Sequence, residues 1–467
     1  MKKGGIRMNV IARLIEPRTS MAHDKKVFSN KYLLDLILPL VGEQFMVMLI
    51  GIADTLMVSY IGEEAVSAIT LVNMFTTIFI YIFTALAAGG AVIVSQYIGK
   101  KDKENGNLAA SQIITISMMI ASVLMLLVLI FCRPILGLLF GEVDHSVMTA
   151  STTYLKISAY SFPAMAIYSG GAALLRSMGK TKNTMLISLI MNMINIIGNA
   201  IGIFLLRAGV EGVAWPSFIS RLIAAIMIMT LCYSDKNKIR IKTRYLIHWN
   251  AKMIKRIMSI AIPNGFESGI FQLSKVALGS ITAMFGTSQI AANGVAQSFW
   301  SLAALIGVAM GPAFITVIGQ CIGAKDYDAA DYYMSKLLRI SIVASVLWNA
   351  IILGATPIVL LLYRLPNETK QMVFLLVLIH NIFNALVFPV SSPFSNGLRA
   401  AGDVKYTMYV SIFSTVICRV ALSVVFGIWC NLGVIGIALA MVCDWSIRAI
   451  LIVIRYKSST WKTFEVI

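Results

Sequence analysis

Charge is what this chain has least of. Of its 467 residues, 13% are Asp, Glu, Lys or Arg and 58% are hydrophobic, whereas a soluble globular protein is about 25% charged and about 45–50% apolar. With a mean hydropathy of +0.83, a water-soluble fold is excluded and the bilayer is the solvent. Acidic residues are scarcer still, 21 against 39 basic, so the net charge is +18. The six cysteines (132, 232, 321, 418, 430 and 443) lie in or at the ends of apolar stretches with no C-x-x-C pair, which favours small apolar packing over redox or metal chemistry. The four histidines show no ligand spacing, so no metal centre is expected. There is no G-x-x-x-x-G-K-[ST] loop, which argues against direct use of ATP, and no G-x-S-x-G elbow or helix with His at i, i+4, which argues against a membrane enzyme. No cofactor is implied.

What is present is a long internal repeat. Pro39 and Glu43 recur 224 residues later as Pro263 and Glu267, Gly62 as Gly286, Ala68 as Ala292, and the run Gln96, Ile98, Gly99, Asp102 as Gln320, Ile322, Gly323, Asp326. Further on, Arg176 and Gly179 answer to Arg399 and Gly402, and Gly212 and Ala214 to Gly436 and Ala438. A bilayer core takes about 20 residues of helix, and twelve stretches are long enough: 32–60, 66–98, 108–140, 148–175, 184–206 and 212–233, then 257–285, 291–322, 334–363, 371–397, 406–430 and 433–454. The expected fold is an all-α polytopic membrane protein, with twelve transmembrane helices in two pseudo-symmetric six-helix bundles around a central cleft. Pro39, Pro163, Pro263, Pro312, Pro389 and Pro393 offer places to kink. The expected organisation is a basic N-terminal segment (1–30), a first bundle (31–233), a linker (234–256), a second bundle (257–456) and a tail (457–467). Because each bundle has an even number of crossings, the two share one orientation and are related by an axis along the membrane normal, an arrangement that transporters use to place a substrate path between halves.

The basic residues fix the orientation. With residue 1 on the cytoplasmic side, most of the 39 lie on that side, including Lys25, Lys26, Lys31, Lys100, Lys101, Lys103 and the loop from Lys236 to Arg256; Arg133, Arg207, Arg364 and Lys370 fall opposite. This is the positive-inside pattern, which puts both termini in the cytoplasm and makes anionic lipid, rather than nucleic acid, the partner of the basic patches. Residues 1–30 lack the apolar core of a cleaved signal peptide, so the first membrane helix is expected to act as an uncleaved signal-anchor.

Ionisable groups at membrane depth cost at least about 2.5–3.5 kcal/mol each, so each needs a partner or a purpose. The acids are Glu43, Asp54, Glu267 and Asp444; the bases that could meet them are Lys156, Arg221, Lys275, Arg419 and Arg448. Glu43 and Glu267 occupy equivalent places, which suits a shared structural or gating role as well as it suits coupling. Asp54 has no twin: its counterpart is Leu278, while Gly51 is answered by Lys275. Asn192, Asn195 and Asn199 repeat at i, i+3 and i+7, gathering amides on one stripe of helix 5 as packing glue or as an ion or proton site. Arg419 stands near the matching place in helix 11, and Asp444 with Arg448 has the i, i+4 spacing of an ion pair, which favours a structural Asp444.

These residues resemble the multidrug and toxic compound extrusion (MATE) transporters, more closely their bacterial DNA-damage-inducible-F-like branch. The resemblance runs from about residue 31 to 463 and rests on I-A-D-T-L-M-V-S-Y-I-G (52–62) with A-V-S-A (65–68), S-Q-Y-I-G-K-K-D (95–102) and its echo G-Q-C-I-G-A-K-D (319–326), L-L-R-S-M-G-K-T-K (174–182), G-L-R-A-A-G-D (397–403) and C-D-W-S-I-R-A (443–449). It implies a monomeric exporter of the bacterial inner membrane that exchanges H+ or Na+ for small organic, often cationic or amphipathic compounds as two bundles rock about a cavity. Asp54 matches the family's helix 1 aspartate, and Asn195 an asparagine of its helix 5 cluster. Asn199 falls where many relatives carry a second carboxylate, so the ion is H+ on a desolvated Asp54 or Na+ held by Asp54 with amide and backbone oxygens. Glu43, Glu267, Lys275, Arg419 and Asp444 are the substrate or gating candidates. The 26 methionines offer adaptable cavity walls. A lipid-linked oligosaccharide flippase of the same superfamily is the alternative.

Overall fold

The computed structural model describes residues 14–17, 27–141, 144–363 and 365–467; the expectations for Lys25, Lys26, Arg364 and most of the 1–30 segment lie outside them. Among the described residues there is no strand, and the chain forms twelve long helical rods. In the first half these are α1 (Asn30–Val58), α2 (Glu63–Lys100), α3 (Lys103–Phe140), α4 (His145–Tyr160 continued by Phe162–Ser177), α5 (Thr181–Leu205) and α6 (Glu211–Tyr233). In the second half they are α7 (Ala251–Ala283), α8 (Thr287–Gly323), α9 (Tyr327–Leu362), α10 (Asn367–Leu386, Phe388–Ser391 and Pro393–Ala400), α11 (Val404–Trp429) and α12 (Gly433–Lys457). Ten have the length and apolarity to cross a bilayer outright. The other two are α4, whose rod is divided at Ser161, and α7, whose apolar run is interrupted by Asn264, Glu267, Gln272 and Lys275.

The breaks have local causes. Pro163 and the pair Pro389 and Pro393 sit in the first turn of a new helical piece, where a missing N–H costs nothing. Pro39 and Pro263 instead lie within rods that remain continuous, and Pro312 lies inside the Leu305–Gly323 piece of α8, whose division is at Ala304. A kink absent from the sequence expectations occurs in α3, where Phe131 leaves helical geometry three residues before Pro134.

The repeat is written into the backbone as well as the sequence. Gly62 and Gly286, which open α2 and α8, have φ of +125° and +87°, a region that L side chains avoid. Lys101 and Lys325 take left-handed conformations after those rods, and Asp102 and Asp326 then cap α3 and α9, accepting from Asn105 N at 3.1 Å and Ala329 N at 2.9 Å. A π-helical turn closes α5 at Ile201–Leu205 and α11 at Val424–Trp429.

Two compact units result. One comprises Leu34–Gly269 with Val466–Ile467; the other comprises Ile270–Glu465 with the described residues up to Leu33. The division therefore falls inside α7 rather than in the 234–256 connection. The start of α7 is held by the first unit: a Cβ on Gly89 of α2 would meet Ala261 at 2.9 Å, and Arg256 donates to the Tyr97 hydroxyl at 2.8 Å. The connection itself is laid along α3, where Asn107, Ser111, Gln112 and Thr115 form one polar stripe. Asn107 Oδ1 accepts from Arg240 N (2.8 Å), Ser111 Oγ accepts from Lys242 N (3.1 Å), Gln112 Nε2 donates to His248 O (2.8 Å) and Thr115 Oγ1 donates to Leu246 O (3.0 Å). The core of the first unit centres on Phe79, Phe83, Leu155 and Phe162, with ring centroids of Phe79 and Phe162 4.7 Å apart. That of the second is built on Ala292, Phe299, Ile352 and Leu376, with a satellite around Trp445.

Candidate functional site

In the first unit the sequence-selected polar residues of α1 and α5 meet near one end of both rods. Asp54 is half-buried one turn before the end of α1, and Asn195 and Asn199 are buried in the last turns of α5. Asn199 Nδ2 donates to Asp54 Oδ1 at 3.0 Å. Asn195 lies between Asp54 and the Ser217 hydroxyl of α6: the amide orientation that satisfies both places its nitrogen 3.1 and 3.2 Å from the two carboxylate oxygens and its oxygen 2.9 Å from Ser217 Oγ. Arg221 of α6 and Tyr154 of α4 are within electrostatic range of Asp54, but Arg221 spends a donor on the Ser161 hydroxyl at 2.7 Å. Among the described residues no basic side chain forms an ion pair with Asp54. Asn199 Oδ1 is buried and has no hydrogen-bond partner among them, an acceptor left open beside the carboxylate. Asn192 does not join this cluster; its amide donates to Ser188 Oγ at 3.3 Å.

Glu43 has a different fate. Its carboxylate, 4% exposed, pairs with Arg176 of α4 at 2.5 Å and accepts from Thr184 Oγ1 of α5 at 3.3 Å. Arg176 is absent from the bases expected to meet the membrane-depth acids, so that expectation is corrected here. Its periodicity gave no hint, because it sits in the last turn of its rod; the signal available was that Glu43 and Arg176 both recur in the second copy. Glu267 is half-buried on α7, flanked by Asn264 and Ser268. Of the other expected bases in this half, Lys156 is exposed on α4.

The second unit holds the opposite polarity. Asp444 on α12 is fully buried, bonded by Arg448 at 3.1 Å and approached by Arg419 of α11 only to 3.9 Å. Arg448 also donates to Ser414 Oγ at 3.1 Å and Thr415 Oγ1 at 2.6 Å, the net of a structural pair. Lys275 and Arg419 both lie near the Phe271 ring, at 5.0 and 5.9 Å from its centroid.

A family model, MatE, matches the chain twice, over residues 39–201 and 263–425, so both ends of the second match stand 224 residues after those of the first. The chain belongs to the MatE family. It is 27% identical to the "Uncharacterized transporter YisQ" of Bacillus subtilis, over 93% of this chain and 95% of that one, and 22% identical to the "Probable multidrug resistance protein NorM" of Thermotoga maritima, over 93% of each. A solved multidrug resistance MATE family transporter in an outward-facing conformation shares the fold, with a TM-score of 0.83 at 20% identity, over 93% of this chain and 97% of that one. The protein is thus a multi-pass membrane protein of the MatE transporter family with that family's all-α, two-lobe fold.

Proposed function

We propose that this MatE protein is a secondary antiporter that exports small organic, cationic or amphipathic compounds in exchange for H+ or Na+, with both termini in the cytoplasm of a bacterial cell. Export of drug-like compounds is supported by relatives named as multidrug resistance proteins; the flippase alternative gains no support from them. The observation that carries the coupling is Asp54: a carboxylate at membrane depth, met by two amides and, among the described residues, by no ion-paired base. Such a group does not remain charged and unpaired when water is excluded, so it must hold a proton, a metal cation or a cationic substrate. Mutual exclusion among these occupants is antiport, and the two halves, moving as units, give alternating access.

Asn195 and Asn199 set the terms. Both present N–H groups to the carboxylate, while the open Oδ1 of Asn199 offers a neutral oxygen to a cation lodged there. The test is ethidium efflux from pump-deficient cells with and without the protein, the H+ and Na+ gradients being collapsed separately. Asp54→Asn is expected to reach the membrane at parental levels and lose gradient-driven efflux. Efflux at the parental rate by that variant would remove Asp54 from the coupling role.

A further inference from the structure

We infer that the second unit contains a binding site for the carboxylate of an organic anion, formed by Lys275, Arg419 and the Phe271 ring. The inference rests on the export reading and names a substrate class for it, one that includes zwitterions. Within the membrane-depth stretches of Ile270–Glu465, Asp444 is the single acid away from the rod ends, whereas Lys275, Arg419 and Arg448 are all basic. Asp444 already belongs to Arg448, at 3.1 Å with support from Ser414 and Thr415. One negative charge therefore faces three positive ones, and the surplus lies on the side of Phe271.

Hydrogen bonding in this cluster is incomplete in the same direction. Arg419 is 5% exposed, yet among the described residues its Nε has no acceptor, the Asp444 carboxylate oxygen stands at 3.9 Å, beyond hydrogen-bond length, and one of its terminal nitrogens faces the thioether of Met441 at 2.6 Å. A guanidinium offers five donors in a planar fork, and burying it with these unspent is costly unless an acceptor arrives. His380 of α10, 2% exposed and within electrostatic range of Arg419, has neither ring nitrogen bonded among the described residues. Lys275, in contrast, is exposed on α7 and has no acidic partner among the described residues; its ammonium rests over Phe271 and is close enough to Arg419 for repulsion. Two repelling cations held beside one ring are what a planar carboxylate would bridge, its oxygens taking the Arg419 fork and the Lys275 ammonium while an apolar body lies against the ring. The equivalent place in the first unit is Gly51, so this cationic site belongs to the second unit alone.

The experiment uses purified full-length protein in nanodiscs of neutral lipid, with three probes of like shape or opposite charge: 1-naphthoate, its neutral analogue 1-naphthylmethanol, and ethidium. Binding of naphthoate is expected in the parent and at least about tenfold weaker in Lys275→Met, the loss of one charge-assisted contact, with Lys275→Arg retaining it. Naphthylmethanol should lose less than about twofold in Lys275→Met, having no charge to lose, and ethidium should bind no more weakly, a selectivity that misfolding would not produce. No binding of naphthoate by the parent, equal binding by Lys275→Met, or parallel loss of naphthylmethanol overturns the site. Repeating the titration in phosphatidylglycerol nanodiscs identifies the occupant's source: Lys275-dependent exclusion of naphthoate there would assign the site to a lipid headgroup and overturn the solute reading. If ethidium efflux fails in cells while Lys275-dependent naphthoate binding persists, it is the export reading that falls.

Discussion

At the scale of single residues, two carboxylates on the same helix have been given different work by their neighbours. Glu43 is closed in by Arg176 and Thr184, so its charge is spent on holding α1 to α4 and α5. Breaking such a buried pair by removing one partner costs about 3–5 kcal/mol. Asp54, eleven residues on, is hydrogen-bonded among the described residues by amides that donate to it and forms no ion pair there. The Asn199 position then becomes a lever: Asn199→Asp places a second carboxylate within hydrogen-bonding distance of the first, and two acids so close titrate as a pair. The pH and Na+ profile of ethidium efflux should shift in that variant. A profile superimposable on the parent's would show that Asn199 is packing glue. Asp54, Asn195 and Asn199 were legible in the sequence because one stands alone in the repeat and the others recur on one helical stripe. Asn192 belongs to the same stripe by angle, but seven residues separate it from Asn199, about 10 Å along the axis, and it bonds to Ser188 instead. Angular periodicity reports a face and says nothing of depth. The Arg176 partner of Glu43 was hidden for a related reason: it joins residues 133 apart, and no local pattern announces so distant a pair.

At the scale of elements, ten of the twelve rods followed from apolar length, since the bilayer leaves few other ways to satisfy a backbone, and α4 and α7 from their places in the repeat. The subdivisions within rods did not follow, because a proline breaks a helix only where the freed carbonyl finds no other solution: Pro163 and Pro389 begin new pieces, while Pro263 rides inside α7. The crossing of α5 and α6 shows what the repeated glycines are for. A Cβ on Gly202 would stand 2.1 Å from the carbonyl oxygen of Gly212, and one on Gly212 would stand 2.7 Å from that of Gly202. The neighbour is backbone rather than a movable side chain, so the two rods touch main chain to main chain, as small residues allow in membranes. The same closeness recurs where Gly436 of α12 meets the backbone of Phe426 and Gly427 in α11. Gly202→Ala should therefore force α5 from α6 and destabilise the first unit by at least about 1–3 kcal/mol, the usual range for overpacking. Gly137→Ala, in open space on α3, serves as its control. The check is the temperature at which the monodisperse peak is lost on heating in detergent, and equal values for the two variants would mean that the crossing is not close-packed in the membrane.

At the scale of the whole molecule, the same sequence plan has been used twice and then loaded with opposite charge. Backbone punctuation is common to both halves: the glycines before α2 and α8, the left-handed lysines after them, and the aspartate caps of α3 and α9. These fix rod lengths and turn geometry and are indifferent to cargo. The membrane-depth ionisable groups are where the copies part, with Asp54 answered by Leu278 and Gly51 by Lys275. Duplication thus conserves the mechanical frame while freeing each half to specialise in the charge it presents. A frame repeated in this way predicts motion of the halves as units, with strain absorbed where the two units divide, at Gly269–Ile270 within α7. Glu64, in the first turn of α2 just after α1, and Ser288, in the first turn of α8 just after α7, are equivalent positions in the two copies, and each is fixed to its own half by the helix it opens. Spin labels on Glu64→Cys and Ser288→Cys, in a background from which the six native cysteines have been replaced, should show a distance distribution that moves when ethidium, H+ or Na+ is supplied. If a transport-active protein gives one unchanging distribution under every ligand and gradient, the halves do not move as units, and access must alternate by local rearrangement within one of them.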